Sequence, residues 1–278
     1  MGRPRAAPVT RGLLMTTVAH PGALTPAQAR TMFREGTSQP TGGWCAAYTQ
    51  VNLISVPSDW AHDVHMFCRQ NPKPCPVLDI ADLGSWNTAL APGADLRTDL
   101  PLYHVWEHGR LIAEQTDVVD LWREDLVTFL IGCSFTFESA LTDAGVPLRH
   151  VSQGANVAMY VTDHECRPGG RLRGPLVVSM RQVPAGLVDT ATRVTAQMPA
   201  VHGGPVHIGD PAGLGIQDFA HPDFGDPVEA EPGDVPMFWA CGVTPQAALM
   251  ASRPPFAITH APGHMLITDA RDTDYRVG

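Results

Sequence analysis

Residues 48–80 decide the fold, and they open with Tyr48-Thr49-Gln50-Val51-Asn52-Leu53-Ile54-Ser55-Val56-Pro57-Ser58. The first nine residues are rich enough in Val, Leu and Ile to predict a strand that ends at Pro57. A helix capped by Ser58 should run to about Gln70, where Asn71-Pro72 ends it. A short buried strand follows at residues 76–80. This order of strand, helix and strand favours a parallel sheet and an α/β fold.

The chain before this segment is expected to contain one further helix and an N-terminal extension. Thr25 as N-cap, Pro26 at the first helical position and Gln28 completing a capping box predict the helix start, and Gly36 predicts its end. Residues 1–22 are expected to be a disordered extension, because their weak apolar stretch is poor material for a signal peptide. The cytoplasm is therefore the expected compartment.

The chain after residue 100 mixes hairpins and helices. Residues 101–107 and 110–115 predict two strands joined at His108-Gly109. The three-to-four spacing of apolar residues over 118–133 predicts a helix. Further strands are predicted at 156–161, 175–181, 235–240 and 265–268, and further helices at 136–143, at 186–197 and after Thr244-Pro245.

This mixture predicts two parts within an α/β chain. Residues 23–115 and 200–278 would form a main α/β sheet domain. Residues 116–199 would form a smaller α+β domain inserted into it. No internal repeat or low-complexity linker marks the boundaries.

Composition excludes several classes of protein. The 278 residues are 44% hydrophobic and 17% charged, which is typical of a chain with a sizeable core. The net charge of −9, with Lys73 as the single lysine, argues against a nucleic-acid partner. No apolar run reaches the ~20 residues of a membrane span. The six dispersed cysteines predict buried, reduced thiols. A homo-oligomer is compatible with the sequence.

The strongest chemical feature is a glycine-rich loop that carries His202, Gly203, Gly204, His207 and Asp210. Glycines allow backbone N–H groups to approach an anionic ligand, while His and Asp supply acid–base groups near neutral pH. The two histidines and the aspartate could instead form a metal triad, or cap the loop itself. The loop is therefore a candidate catalytic site.

Other candidates lie at predicted element ends. Cys241, Gly242 and Thr244 join a strand to a helix start, where a thiol is acidified or a carboxylate is bound. Arg97 lies between two aspartates and is the candidate clamp for a substrate carboxylate. Glu138 follows Ser134 by one helical turn and could serve in catalysis, although both could also be structural.

Three further side chains could line a pocket. Gln50 and Asn52 lie on the first predicted strand, where their amides could bind substrate or cap a sheet edge. His260 comes before Pro262 and Gly263, which exclude a helical metal pair with His264. These three residues are candidates for substrate binding.

Several motifs taken together resemble the D-glutamate cyclase family of hydro-lyases over about residues 25–269. They are the segments 67–76, Arg97-Thr98-Asp99, Gly132-Cys133-Ser134-Phe135, 202–211, 238–246 and 259–263. The resemblance implies a two-part α/β fold and dehydration of D-glutamate to 5-oxo-D-proline, with a small acidic metabolite as partner and no cofactor.

The resemblance and the residues together suggest roles for the candidates. Arg97 would hold the α-carboxylate, and His207, oriented by Asp210, would take the ammonium proton. His202 or Glu138 would protonate the departing oxygen. Backbone N–H groups at Gly203-Gly204 or Cys241-Gly242 would stabilise the oxyanion. His207→Ala is then expected to abolish turnover.

Two departures from the family pattern keep alternatives open. The family usually has acidic residues before its Asn-Val-Pro-Met-Tyr motif, whereas residues 151–155 here are uncharged and precede Asn156, which we also count as a substrate-binding candidate. The pattern His-Gly-Ala-Pro-Val-His has Gly204 in place of alanine. One alternative is a metal-assisted hydro-lyase that acts on another small acid, with His202, His207 and Asp210 as ligands. The other is a non-catalytic sensor that binds an acidic metabolite.

Overall fold

The secondary structure is that of a computed structural model, which describes residues 20–277. Its strands are β1 Tyr48–Pro57, β2 Val77–Ile80, β3 Tyr103–Glu107, β4 Arg110–Gln115, β5 Leu126–Gly132, β6 Met159–Glu165, β7 Pro175–Pro184, β8 His207–Ile208, β9 Asp234–Ala240, β10 Ala257–His260 and β11 Leu266–Arg271. Its α-helices are α1 Pro26–Arg34, α2 Ser58–Gln70, α3 Glu138–Asp143, α4 Arg149–Gln153, α5 Val188–Ala196 and α6 Thr244–Ser252.

The first sheet is built around β1. Its strand order is β2-β5-β1-β10-β3-β4, and β11 also pairs with β1. Apolar side chains leave β1 on both faces, with Ile54 and Val56 in one buried cluster together with α2, and Val51 and Leu53 in another. The sheet is therefore buried on both sides, with α2 covering one face.

The second sheet has the order β6-β7-β9-β8. One face packs against α3 and α5 through a cluster that includes Phe137, Leu141 and Trp239. The other face holds Tyr160, Met180 and Phe238. The helices, strands and two sheets confirm the mixed α/β class, and every strand pairing in the described residues is antiparallel.

Two expectations about the fold were wrong. The parallel sheet is absent from the described residues because β2 pairs with β5 rather than β1, so α2 is not a crossover between parallel neighbours. The helix expected at 118–133 is a short 3₁₀ turn at Val119–Leu121 followed by β5. A central strand buried on both faces is apolar at nearly every position, and such a run also satisfies helical spacing.

Most local signals gave the right element with shifted ends. The capping box on α1, the β3–β4 hairpin and helices near 188–196 and 244–252 are confirmed. The side chain of Ser58 makes no cap bond, and Pro57 is the N-cap of α2. The helix expected at 136–143 begins as a 3₁₀ turn, Ser134–Phe137, and continues as α3.

The sheets take strands from both sides of the expected domain boundaries. β5, inside the expected insert, lies between β2 and β1 in the first sheet, while β8 and β9 join β6 and β7 in the second. The division into a main and an inserted domain stays a prediction. Of the expected disordered extension, residues 1–19 lie outside the described residues, and Pro21–Ala23 forms a 3₁₀ turn.

No helix within residues 20–277 has the length and apolar character that crossing a membrane would require.

The capping box at the start of α1 should contribute measurably to stability. Thr25 Oγ1 accepts a hydrogen bond from Gln28 N at 3.3 Å, and Gln28 Oε1 accepts one from Thr25 N at 2.9 Å. We expect Thr25→Ala to lower the free energy of unfolding by ~1 kcal/mol. Urea denaturation measures it against Thr31→Ala, an exposed helix position where alanine should be neutral or slightly stabilising. Equal losses in both variants would contradict this role for the cap.

Candidate functional site

The two sheets meet at a buried junction centred on Phe135. Cys133 follows the end of β5, Cys241 follows β9 and Met265 precedes β11, and all three belong to the apolar cluster that contains Phe135. The junction therefore gathers the ends of strands from both sheets. The polar residues described next surround it.

Glu138, the first residue of α3, forms a buried ion pair with Arg181 on β7. Oε1 of Glu138 accepts hydrogen bonds from Arg181 Nε at 3.0 Å and Nη2 at 2.5 Å. Their side chains are only 4% and 1% exposed. Isolated charges at this depth would be very unfavourable, so each ion depends on the other for its place in the fold.

Arg181 is held from several directions. Its guanidinium donates to Ser179 Oγ at 3.1 Å and to Ser134 Oγ at 3.0 Å. Its Cζ also lies 5.0 Å from the ring centre of Phe137 and 5.6 Å from that of Trp239, within the range of cation–π attraction. Because Ser179 and Arg181 are two residues apart on β7, both project from the same face of the strand. The guanidinium is thus fixed in position.

His150 on α4 completes the group that we name the Glu138 cluster: Glu138, Arg181, His150, Ser134 and Ser179. Its Nε2 lies 3.2 Å from Glu138 Oε1, but without the alignment of a hydrogen bond. The ring stacks on Phe135 with centroids 6.3 Å apart. A histidine beside a carboxylate is suited to proton transfer, because its imidazole can both accept and donate a proton.

Opposing effects set the charge of Glu138. Burial alone would raise the pKa of its carboxyl group, but the charges of His150 and Arg181, together with the hydrogen bonds from Arg181, outweigh burial and lower the pKa. The carboxylate is therefore ionised at neutral pH. A fixed negative charge of this kind suits the binding of a substrate ammonium group.

Three cavities adjoin Phe135. The largest, about 460 Å³, is lined by Gln50 and Glu138 among others. A second, about 160 Å³, is lined by His150 and Asn156. The third is a void of about 10 Å³ beside Asn52. Their volumes suit a small ligand in the first two, and at most a single water molecule in the third.

Four buried polar atoms at the two larger cavities have no hydrogen-bond partner among the described residues. They are Gln50 Oε1, Glu138 Oε2, Asn156 Oδ1 and His150 Nε2. Buried polar atoms are almost always paired, and those left unpaired require an explanation. Three acceptors and one imidazole nitrogen around adjoining cavities provide the partners that an amino acid would need.

The structure brings six sequence-based candidates together at this junction: Gln50, Asn52, Glu138, Asn156, Cys241 and Gly242. Asn52 donates to the carbonyl oxygen of Gly132 at 2.7 Å, and a Cβ on Gly242 would lie 2.0 Å from its Nδ2. Asn156 Nδ2 donates to Pro262 O at 3.0 Å, which leaves its oxygen free. Glycine at 242 is thus needed for the close packing of Asn52.

The two thiols at the junction are poor nucleophiles. Burial raises the pKa of Cys241 to about 11 and raises that of Cys133 still further. All six cysteines are buried and free, as the sequence indicated. The structure does not acidify the Cys241 thiol as the sequence suggested, because burial raises its pKa by more than the Val243 backbone and the charge of Arg181 lower it.

Two further candidates make structural contacts. Thr244 Oγ1 accepts from Val177 N at 3.0 Å, which ties α6 to β7. His260 lies in β10, where its Nδ1 accepts from Leu53 N at 3.2 Å and Gln246 Nε2 donates to its carbonyl oxygen at 2.9 Å. Neither residue lines the two larger cavities.

The glycine-rich loop is bound to Lys73 rather than to the Glu138 cluster. His202 Nδ1 donates to Lys73 O at 2.9 Å, and Lys73 Nζ donates to Gly204 O at 2.6 Å. Gly203 has a φ of +65°, a conformation that favours glycine. Residues 202–204 line none of the three cavities. Their roles in binding and catalysis stay predictions.

His207 and Asp210 do not form the expected side-chain pair. His207 Nε2 donates to the backbone oxygen of Asp210 at 2.7 Å, while Asp210 Oδ1 accepts from Ala212 N. Within residues 20–277, no group of three or more His, Cys, Asp or Glu residues is placed to hold a metal ion, so His202, His207 and Asp210 do not form the alternative triad. The side chains of His207 and Asp210 each form a hydrogen bond with the backbone of their own loop.

The guanidinium of Arg97 contacts nearby side chains of its own loop. It donates to both carboxylate oxygens of Asp95, at 2.9 and 2.7 Å, and its Cζ lies 4.0 Å from the ring centre of Trp86. Arg97 lines none of the three cavities. The arginine that the structure places in the cluster is Arg181.

Sequence reasoning missed Arg181 and His150. A single arginine inside an apolar strand, here between Met180 and Gln182, is the signal that could have indicated a buried ion pair. His150 gave no comparable signal, because α4 is only five residues long. Gln153, where the family pattern has acidic residues, bonds instead to the backbone of Glu229.

Two buried histidines predict acid sensitivity. Burial lowers the pKa of His202 to about 4 and that of His260 to about 3. Both stay neutral in the folded protein but become charged on unfolding below about pH 6.5.

We expect the free energy of unfolding to fall by roughly 3 kcal/mol from pH 7 to pH 5, above the range in which carboxylates titrate. Urea denaturation at both pH values measures the change, and His202→Asn should remove about half of it; an unchanged slope would contradict the assignment.

Comparison with known proteins identifies the family. The family model described as D-glutamate cyclase matches residues 127–269. A protein from Streptomyces avermitilis named "Putative hydro-lyase" is 67% identical over 258 residues, which cover 93% of this chain and 94% of that protein. Another from Streptomyces coelicolor with a hydro-lyase name is 62% identical over 277 residues and the full length of both chains.

The chain is also weakly similar to a solved structure. The nitrogen repressor-like protein of Methanococcus jannaschii covers 87% of this chain and 97% of its own, with 11% identity and a TM-score of 0.36. A similarity this weak carries no argument about fold or function. The sequence relatives and the family model agree with the motifs, and the chain belongs to the D-glutamate cyclase family.

Proposed function

We propose that this protein dehydrates D-glutamate to 5-oxo-D-proline at the Glu138 cluster. The observation that carries the proposal is the set of four unpartnered buried polar atoms at two adjoining cavities. The family model and the hydro-lyase names of the relatives support the reaction class. A small acidic amino acid is the substrate class that these atoms fit.

The polar groups of the cluster match those of the substrate. The Glu138 carboxylate carries a negative charge beside the guanidinium of Arg181. D-Glutamate carries one ammonium group and two carboxylates. The acceptors Gln50 Oε1, Asn156 Oδ1 and Glu138 Oε2 suit its ammonium group, and His150 Nε2 suits a carboxylate.

Cyclisation forms one bond, breaks another and moves two protons within the site. The amine nitrogen attacks the γ-carboxyl carbon, a C–N bond forms, and one C–O bond breaks to release water. Two protons leave the ammonium nitrogen and both end on the departing oxygen. Because no proton is gained or lost overall, Glu138 Oε2 can accept each proton and His150 can return it.

The shape in which the site holds the substrate should also accelerate the reaction. The attack is intramolecular, and holding the substrate in a folded shape can replace much of the barrier otherwise due to entropy. Arg181 acts as a positioning residue in this scheme, because it touches Glu138 rather than substrate. The scheme uses no cofactor.

A direct assay tests the proposal. Purified protein is incubated separately with D-glutamate, L-glutamate and 5-oxo-D-proline, and both species are followed by chiral chromatography. We expect interconversion of D-glutamate and 5-oxo-D-proline. Absence of conversion in folded protein would overturn the proposal and favour the alternative of a non-catalytic sensor of an acidic metabolite.

His207→Ala separates the Glu138 cluster from the glycine-rich loop. The ring of His207 contacts the Asp210 backbone and lies 5.8 Å from the Phe238 ring, outside the three cavities. We expect this variant to keep turnover of D-glutamate within a few-fold of the unmodified protein. Loss of turnover in a variant with an unchanged melting temperature would instead restore the sequence-based assignment of His207.

A further inference from the structure

The largest cavity exceeds the needs of D-glutamate. Glutamate has ten non-hydrogen atoms, which fill at most about 300 Å³ if each is given the volume share of a water molecule. The cavity measures about 460 Å³, and the adjoining one adds about 160 Å³. Space therefore remains beside the substrate.

The lining of the cavity includes an apolar wall. Its large apolar residues are Trp44, Tyr48, Phe135, Leu148 and Val151, and its polar residues are His20, Gln50, Glu138, Ser139, Thr142 and Asp143. Trp44 and Phe135 are almost fully buried by their own packing, which fixes the shape of that wall. A wall of this kind favours an apolar group of the ligand.

Electrostatics also favours an uncharged γ-group. The Glu138 carboxylate is ionised, and a second carboxylate close to it would be repelled. The γ-carboxylate of D-glutamate must be protonated before it can be attacked. A γ-amide is neutral at the start and needs no such step.

We propose that the same site also cyclises γ-D-glutamyl amides of apolar amines, with the amine substituent against Trp44, Phe135 and Val151. The inference rests on the proposed function, because it uses the same attack by the α-amine. It adds a substrate class in which the leaving group is an amine instead of water.

The reaction balances without another reactant. The α-nitrogen attacks the γ-carbonyl carbon, a new C–N bond forms, and the C–N bond to the amine substituent breaks. The α-ammonium loses two protons, and both end on the departing nitrogen, which leaves as an alkylammonium ion. The products are 5-oxo-D-proline and the free amine.

Two amides that differ only in the substituent test this proposal. The unmodified protein is given γ-D-glutamyl-phenethylamide and γ-D-glutamyl-methylamide, and 5-oxo-D-proline is measured by chiral chromatography. We expect kcat/KM for the phenethylamide to exceed that for the methylamide by about tenfold or more, because its ring buries apolar surface. D-Glutamate is assayed in parallel.

Val151→Asp locates the effect at the apolar wall. Val151 is 37% exposed, so a carboxylate there should be tolerated by the fold. The ratio of the two amides should fall to about one in this variant. Val119→Asp is the matched control, since Val119 is 42% exposed and lines none of the three cavities, and it should keep the ratio.

The outcomes separate this inference from the proposed function. Turnover of D-glutamate without turnover of either amide overturns the inference alone. Equal kcat/KM for both amides, or a ratio unchanged by Val151→Asp, also overturns it. Failure of all three compounds in folded protein overturns both proposals, while amide turnover without D-glutamate turnover supports the inference and overturns D-glutamate as a substrate.

Discussion

Glu138→Gln should lower kcat for D-glutamate by about 10³-fold, within the range attributed to a positioned acid–base group. The amide keeps an oxygen for Arg181, but it replaces the free acceptor Oε2 with an N–H donor and removes the negative charge. Both the binding of the ammonium group and the transfer of its protons are then lost. Steady-state kinetics with D-glutamate measures the effect.

The same variant needs a check on folding. Circular dichroism should show a folded protein, because glutamine occupies nearly the same volume, while urea denaturation should show reduced stability, because the buried Arg181 charge loses its counter-ion. Ser139→Ala is a suitable companion, since Ser139 also lines the largest cavity but takes no part in the proposed proton transfer. Activity of folded Glu138→Gln within a few-fold of the unmodified protein would remove Glu138 from the mechanism.

Arg181→Met should destabilise the fold by about 3–5 kcal/mol, the range found when one partner of a buried ion pair is removed. Methionine leaves the Glu138 carboxylate without its two charged hydrogen bonds, and it leaves Ser134 and Ser179 without theirs. The pKa of Glu138 should also rise, because Arg181 helps to lower it. Urea denaturation at pH 7 measures the loss of stability.

Two comparisons make this prediction specific. Arg123→Met removes an exposed ion pair with Asp125 and should change the free energy of unfolding by about 1 kcal/mol or less. The double variant Arg181→Met/Glu138→Gln removes both charges and should recover part of the loss. A loss below about 1 kcal/mol in Arg181→Met would show that the pair does not support the fold.

Local signals in the sequence predicted local structure well. Thr25, Pro26 and Gln28 fixed the start of α1 because a capping box involves only residues a few positions apart. His108 and Gly109 fixed the β3–β4 hairpin for the same reason, as both take positive φ values. Where the determining contacts are close in sequence, spacing and residue type are sufficient.

Long-range pairing decided what the sequence could not show. β5 is a strand because β1 and β2 flank it, and its own apolar spacing fits a helix equally well. The same holds for the site, since Glu138 and Arg181 are 43 residues apart and meet only once β7 has joined its sheet. Gln50, Asn52, Asn156 and Glu138 were found as candidates, but their shared location was not.

Two candidates chosen by chemical type have hydrogen-bond partners within their own loops. Arg97 and His207 carry suitable groups, yet Asp95 and the Asp210 backbone, two and three residues away, occupy those groups. Short-range partners of this kind are visible in the sequence, but whether they satisfy the side chain depends on loop geometry. The roles assigned to Arg97 and His207 stay predictions.

The position of β1 between β5, β10 and β11 has a consequence for biosynthesis. β10 begins at Ala257, 200 residues after β1 ends at Pro57, so one edge of β1 stays open until those 200 residues have been translated. At 5–20 residues per second this interval is about 10–40 s, during which a nascent chain exposes an apolar strand edge. Gln50 and Asn52 lie on that strand, so the proposed catalytic pocket is completed only after the ribosome has added β10 and β11.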